Sequence, residues 1–282
     1  MGHPEKARLP RRARVAFQGE LGAFSQQAAH RIFGAHLQPM PCLAFEDVFS
    51  RLVRGKADFA VIPIENSLAG SIHQNFDLLA KHSLESIGET YVRIEHHLIA
   101  NPDVRMSDIR QIYSHPVALA QCRVFLRSLR TAEKVSFYDT AGSVKFIRDR
   151  NLADTAAVAS AEAARIYGMK ILKRNIEDDR ENFTRFLALA RRGRIAHGGS
   201  KTSLVFSLKN EPGALFKALS VFALRDINLT KIESRPSRGK RWEYLFYVDL
   251  QSDIRSRQCV NALRHLREMT AYFKVLGSYP TY

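Results

Sequence analysis

Short β-rich apolar runs alternate with amphipathic helical stretches along most of this chain, and no other feature constrains its fold as tightly. Residues 14–19 (RVAFQG) form a β-rich run ending in glycine, and the next stretch sets Phe24, Ala28 and Ile32 at helical spacing. A helix is expected over 44–55, with Phe45, Val48, Phe49 and Leu52 on one face, then a buried strand over 58–64 and helical period over 66–80. A second set follows, with strands expected over 91–100, 112–113, 135–138 and 156–160. Its helices are expected over 116–129, 140–148 and 161–167, the last ended by Gly168. This alternation implies a mostly parallel sheet with helices over its faces. Residues 170–190 carry two apolar runs around a polar, charged loop, which is a candidate for function.

Glycine and charge at 191–201 (RRGRIAHGGSK) mark a linker. Beyond it the pattern predicts strands over 202–208, 228–234, 242–250 and 273–277, with helices over 213–225 and 256–272. That order, βαββαβ, is ferredoxin-like. A four-stranded sheet of this size has a face or an edge that association would cover, and the linker is expected to leave the preceding region foldable alone.

Composition serves mainly to exclude. A chain of 282 residues fits one large domain or two unequal ones, and 45% hydrophobic with 25% charged residues excludes disordered and collagenous classes. No apolar run is long enough to span a bilayer. Cys42, Cys122 and Cys259 lie far apart and in no CxxC or Cys/His spacing, so neither disulfides nor zinc are expected, and a reducing cytosol is. The net charge of +15 suits a nucleic acid or an anionic small molecule. Without a zinc-finger, RRM or KH signature, the small anion is the better partner and nucleic acid is not expected. The basic stretch 1–13 lacks an apolar core and reads as a flexible tail rather than a secretory signal. No GxGxxG with a downstream acid, Walker loop, HExxH or GxSxG element occurs.

Five polar clusters fall just beyond predicted strands, where α/β folds place ligands: 19–25, 65–67, 114–115, 139–142 and 182–185. Singly, each has a plain structural reading. Ser25, Ser67, Asp139 and Thr140 are ordinary helix caps and His115 a loop histidine. Jointly they offer hydroxyl, amide, carboxylate and backbone N–H groups beside an arginine, a set that suits a carboxylate. The residues alone reach a two-lobed α/β cleft for a small anion with a ferredoxin-like appendage, and stop short of the reaction.

Six blocks in order then resemble the prephenate dehydratase family: FQGELGAFS (17–25), PIENSLAGSIHQNFDLL (63–79), SHPVALAQC (114–122), DTAGS (139–143), AAVASAEAARIYGMKIL (156–172) and NIEDDRENFTRF (175–186). EPGALFKAL and KIESRP resemble the two phenylalanine-site motifs of the family's regulatory ACT domain. The resemblance implies a two-lobed catalytic region similar to periplasmic binding proteins over 14–191, a linker over 192–200 and an ACT domain over 201–282. It implies a carbon–oxygen lyase of L-phenylalanine biosynthesis, in a monofunctional form, converting prephenate to phenylpyruvate with loss of carbon dioxide and water. Arogenate is the alternative substrate, and a non-catalytic amino-acid sensor the alternative class.

By the same resemblance the catalytic element is Thr184, Arg185 and Phe186, with Thr184 as hydroxyl donor at the leaving oxygen. Arg185 either grips a substrate carboxylate or bridges to Glu65 or Asp139. Glu65, Asn66, Ser67, Ser114, His115, Asp139, Thr140 and Asn182 are assigned to substrate binding. Asn210, Gly213, Ala214 and Leu215, with Glu233, Ser234, Arg235 and Pro236, are assigned to allosteric L-phenylalanine. No cofactor or metal is implied, the chain is expected as a cytoplasmic homodimer or homotetramer, and no membrane partner is expected.

Overall fold

The computed structural model describes residues 12–193, 199–237 and 243–282. Nearly all of the expected tail, positions 194–198 of the expected linker and Trp242 of an expected strand lie outside the described residues. The chain begins β1 (Arg14–Gln18), α1 (Phe24–Phe33), β2 (Gln38–Cys42), α2 (Phe45–Val53), β3 (Phe59–Asn66), β4 (Gly70–Ser71), α3 (His73–Lys81), β5 (Leu84–Arg93) and β6 (His97–Ala100). It continues with β7 (Gln111–Ser114), α4 (Pro116–Ala120), α5 (Arg123–Ser128), β8 (Glu133–Ser136), α6 (Thr140–Asp149), β9 (Thr155–Ala159), α7 (Ala161–Tyr167), β10 (Lys170–Lys173) and β11 (Phe183–Arg191). The last set is β12 (Lys201–Ser207), α8 (Ala214–Ala223), β13 (Leu229–Pro236), β14 (Tyr244–Leu250), α9 (Arg257–Met269) and β15 (Tyr272–Tyr279).

These elements form two compact units, and neither is one stretch of sequence. One joins 12–72 to 91–186, the other 73–90 to 187–282. The elements from β1 to β11 make two α/β lobes. The sheet of one lobe runs β2-β1-β3-β11-β5, with β1 parallel to both neighbours and β4 added on β3. The other runs β10-β6-β9-β7-β8, parallel from β9 to β8 and antiparallel at β6 and β10. FAVIPI of β3 is buried throughout, as an inner strand of such a sheet requires. β2 (QPMPC) is a strand that its two prolines conceal; it lies at the sheet edge, where a missing N–H costs no ladder bond.

Three expectations are corrected. The helical period over 66–80 becomes a helix only from His73, because Asn66 turns the chain: its Oδ1 accepts Leu68 and Ala69 N–H at 3.0 and 2.8 Å. The strand expected over 91–100 is the end of β5, an irregular step at 94–96, and β6. The helix expected over 116–129 is two short helices that break at Gln121 and Cys122.

The GELG turn does packing work. Gly22 has φ +90°, and a Cβ there would stand 2.5 Å from Ala163 Cα of α7. Ser160 Oγ donates to Gly22 O at 2.7 Å and accepts Ala163 N–H at 3.0 Å, so the turn is clamped onto α7.

In the second unit the sheet order is β13-β14-β12-β15, antiparallel throughout, the ferredoxin-like arrangement. Leu204, Phe206, Val248 and Leu250 pack with Phe222 of α8 and Leu266 of α9 on one face. The other face is where association was expected, and α3 of the same chain lies against it. Tyr247 OH donates to Phe76 O at 2.9 Å with the two rings 4.9 Å apart. Lys274 Nζ donates to Leu79 O and His82 O, both at 2.6 Å, and so satisfies carbonyls at the end of α3. Glu233 pairs with His73 at 3.1 Å and Arg235 with Asp77 at 3.6 Å. Among the described residues no helix is long and apolar enough to cross a membrane.

Candidate active site

Asn66 closes β3 and Thr184 is the second residue of β11, and the two strands are neighbours in their sheet. Asn66 Nδ2 lies 2.9 Å from Thr184 Oγ1, 2.7 Å from Asn182 Oδ1 and 3.1 Å from Phe183 O. Thr184, 8% exposed, therefore uses its oxygen as an acceptor and keeps its proton to give. Asn182 is 0% exposed and its Nδ2 has no partner among the described residues. A buried amide donor left unpaired costs about 1–3 kcal/mol, which a ligand oxygen placed there would recover.

Ser67 pins the loop: its Oγ donates to Glu181 O at 2.8 Å and accepts Phe183 N–H at 3.0 Å, while its own N–H donates to Phe183 O. Its hydroxyl is engaged by the backbone. The same holds for Ser114, buried with Oγ on Val158 O at 2.6 Å. Glu65 pairs in register with Ser71, and Arg185 and Phe186 are buried in β11.

The remaining predicted group stands on the other lobe. His115 caps α4, its Nδ1 accepting Val117 N–H at 3.3 Å. Asp139 caps α6, its Oδ1 accepting N–H from Gly142 at 2.6 Å and from Glu20 at 3.3 Å, and Thr140 is the first residue of that helix. Burial raises the Asp139 carboxyl above the usual carboxylate range, against the pull of those two amides. Asp139 thus ties α6 to the glycine turn.

Three residues that sequence reasoning missed complete the polar cluster. Gln121 Nε2 is 3.5 Å from Asn66 Oδ1, and Gln121 Oε1 is 3.1 Å from His96 Nε2. Glu177 Oε2 accepts the His96 backbone N–H at 2.9 Å. Burial keeps the His96 imidazole below its ordinary pKa, more than Gln121 and Glu177 offset. The signal available was Gln121 inside SHPVALAQC and the paired His96–His97 at an interrupted strand.

A cavity of about 420 Å³ in the same unit is lined by Phe24, Gln27, Arg93, Glu95, His97 and Glu162 among others, and by none of the residues assigned above. Among the described residues no group of three or more His, Cys, Asp or Glu side chains is placed to hold a metal.

In the C-terminal unit a cavity of about 130 Å³ is lined by Asn210, Ala214, Leu215, Tyr244 and Phe246 among others. Gly213, with φ +76°, precedes α8 beside it. The second motif is split by strand alternation. Ser234 and Pro236 are exposed and sit in register with Phe246 and Tyr244, whereas Glu233 and Arg235 turn to α3. Glu233 pairs with His73 and is not among the residues that line that cavity.

The sequence profile of prephenate dehydratase matches residues 15–194, and that of the ACT domain matches 202–267. Arogenate dehydratase/prephenate dehydratase 2, chloroplastic, of Arabidopsis thaliana is 49% identical over 280 residues, covering 95% of this chain and 73% of its own. The structure of prephenate dehydratase from Arthrobacter aurescens in complex with L-Phe is 32% identical with a TM-score of 0.87, over 94% of this chain and 89% of that one. That of GqqA, described as a novel type of quorum quenching acylase, is 35% identical with a TM-score of 0.85, over 95% and 98%. With matches of this extent over both units, and the Asn66–Thr184 pairing at the centre of the matched region, the chain belongs to the prephenate dehydratase family of lyases and carries an ACT domain at its C-terminal end.

Proposed function

We propose that the protein dehydrates and decarboxylates prephenate to phenylpyruvate in L-phenylalanine biosynthesis, with Thr184 as the donor to the departing ring hydroxyl. The observation that carries this reading is the hydrogen bond from Asn66 Nδ2 to Thr184 Oγ1, which occupies the threonine oxygen as an acceptor and leaves its proton to be given. A threonine is a weak acid, and aromatisation of the ring supplies the driving force, so a polarised hydroxyl suffices where most eliminations need a stronger acid. Positioned proton donation of this kind contributes about 10²–10⁴-fold. Asn182 Nδ2 is the donor for a substrate carboxylate, and Arg185 supplies positive potential from within β11. The test is turnover of prephenate by the purified full chain, followed by phenylpyruvate absorbance. No product at micromolar enzyme would contradict it.

Arogenate is the second reading, favoured by the name of the Arabidopsis relative. Comparing kcat/KM for the two substrates on one preparation decides the preference. A sensor without catalysis predicts binding of either compound and no product from either.

Regulation by L-phenylalanine is supported by the ACT match and by the ligand of the Arthrobacter structure. We place the ligand carboxylate at the start of α8, where Gly213 caps the helix without a side-chain hydrogen bond, and its ring toward Leu215 and Phe246. A typical coupling of about 1–3 kcal/mol corresponds to 5–150-fold in affinity. Phe216 on α8 and Leu224 at its C-terminal cap are 76% and 78% exposed, which supports burial of that helix in a homodimer or homotetramer. All three cysteines are free and buried, in keeping with a reducing, cytoplasmic setting. Sedimentation as a monomer at micromolar concentration would contradict the assembly.

A further inference from the structure

Two backbone N–H groups that cannot turn over fix the orientation of every amide beside Thr184. Leu68 and Ala69 N–H point at one terminal atom of Asn66, which must be the acceptor, Oδ1. The Gln121 atom facing that oxygen at 3.5 Å must then be a donor, Nε2, so its other terminal atom is Oε1. Oε1 lies 3.1 Å from His96 Nε2, and this ring nitrogen must carry the hydrogen. Nδ1 is left as a lone pair, buried without a partner among the described residues. The opposite tautomer would bury an unpaired N–H instead, which folded proteins avoid more strictly than an unpaired acceptor.

The residue is held from several sides. The His96 N–H is held by Glu177 Oε2, its carbonyl accepts Ile176 N–H at 2.9 Å, and the Phe24 ring meets it edge-on at 5.6 Å between centroids. At 1% exposure His96 is shielded from solvent that would compete for Gln121.

We propose that His96 is a positioning residue for the dehydratase, its Nε2–H holding the Gln121 carboxamide so that the NH2 group, never the oxygen, is turned toward Asn66 and the substrate site. This deepens the dehydratase reading and rests on it. A carboxamide released from His96 has two orientations, and the flipped one sets Oε1 against Asn66 Oδ1 and against an anionic substrate. Holding it beforehand removes that loss from the binding step.

The wild-type protein tests this without substrate. In ¹⁵N-histidine-labelled full chain, the two ring nitrogens of His96 should report the Nε2–H tautomer at neutral pH. His96→Gln places an N–H close to that of Nε2 and should keep kcat/KM within about threefold, whereas His96→Leu should lose roughly tenfold to hundredfold. An Nδ1–H tautomer, His96→Leu within about threefold of wild type, or equal losses in both variants would overturn the proposal. If His96→Leu does not fold, the tautomer and the His96→Gln rate still decide. Wild type that turns over neither prephenate nor arogenate removes the dehydratase reading and this one with it, while active wild type with the Nδ1–H tautomer removes this one alone.

Discussion

At the scale of the residue, one hydroxyl has its accepting side filled and its donating side open. Thr184→Ala should therefore lower kcat by about 10²–10⁴-fold with the unfolding midpoint little changed, and Thr184→Ser, which keeps the hydroxyl, should lose far less. Steady-state kinetics on prephenate beside thermal melts check both. A second outcome concerns His96 and His97, both held below the ordinary histidine pKa chiefly by burial. The unfolded chain takes up protons near pH 6.5 where the folded chain does not, so stability is full above that value and drains away as the pH falls through it. The geometry agrees for His97, whose Nδ1 accepts Asn175 N–H at 3.0 Å, a bond its protonated ring cannot make. Urea midpoints should fall between about pH 7 and 5.5, and less steeply in His97→Gln. The meeting of Asn66, Asn182 and Thr184 was legible because they stand in ordered motifs at strand ends. The spending of the Ser67 and Ser114 hydroxyls was not, since it depends on which carbonyl passes 2.6–2.8 Å away in the folded chain.

Elements obey the hydrophobic pattern where burial dictates it and escape it where a polar atom intervenes. The α2 stripe of Val48, Phe49 and Leu52 is buried as its spacing requires, and β3 is the continuous apolar run of an inner strand. The helix read across 66–80 failed because the Asn66 side chain competes with the backbone for two N–H groups, and periodicity is blind to that competition. β2 failed to announce itself for the converse reason, prolines being tolerated at an edge. In the glycine turn before α1, the need for glycine comes from packing: Gly22 makes room for α7. Gly22→Ala should destabilise by roughly 2–4 kcal/mol through left-handed strain and overpacking together. Denaturant titration within about 0.5 kcal/mol of wild type would contradict the close approach.

For the whole molecule, family boundaries and packing boundaries differ. The two matched profiles meet between 194 and 202, yet the C-terminal compact unit reaches back to take in 73–90. The βαββαβ order was legible because each of its elements is local in sequence; the cover on its sheet was not, because α3 comes from more than a hundred residues earlier. A chain ending at 193 should accordingly be less stable than the full protein, having bared Phe76 and the Leu79 carbonyl, and adding a separate 199–282 fragment should restore its melting midpoint. Melts that are identical with and without the added fragment would count against a shared body. Glu233 and Arg235 hold His73 and Asp77 at the start of α3, a few residues after Asn66 in the chain. Glu233→Gln should thus weaken inhibition by L-phenylalanine severalfold within the coupling range of about 5–150-fold, leaving uninhibited kcat intact, as paired inhibition curves will show. The same helix constrains inheritance. A recombination event at the linker would transplant four strands and two helices but abandon their cover, so regulatory modules exchanged between relatives should travel well only when residues 73–90 co-migrate or already match. Lineages of this protein are then expected to carry a hidden passenger, an early helix whose ancestry follows the tail of the gene.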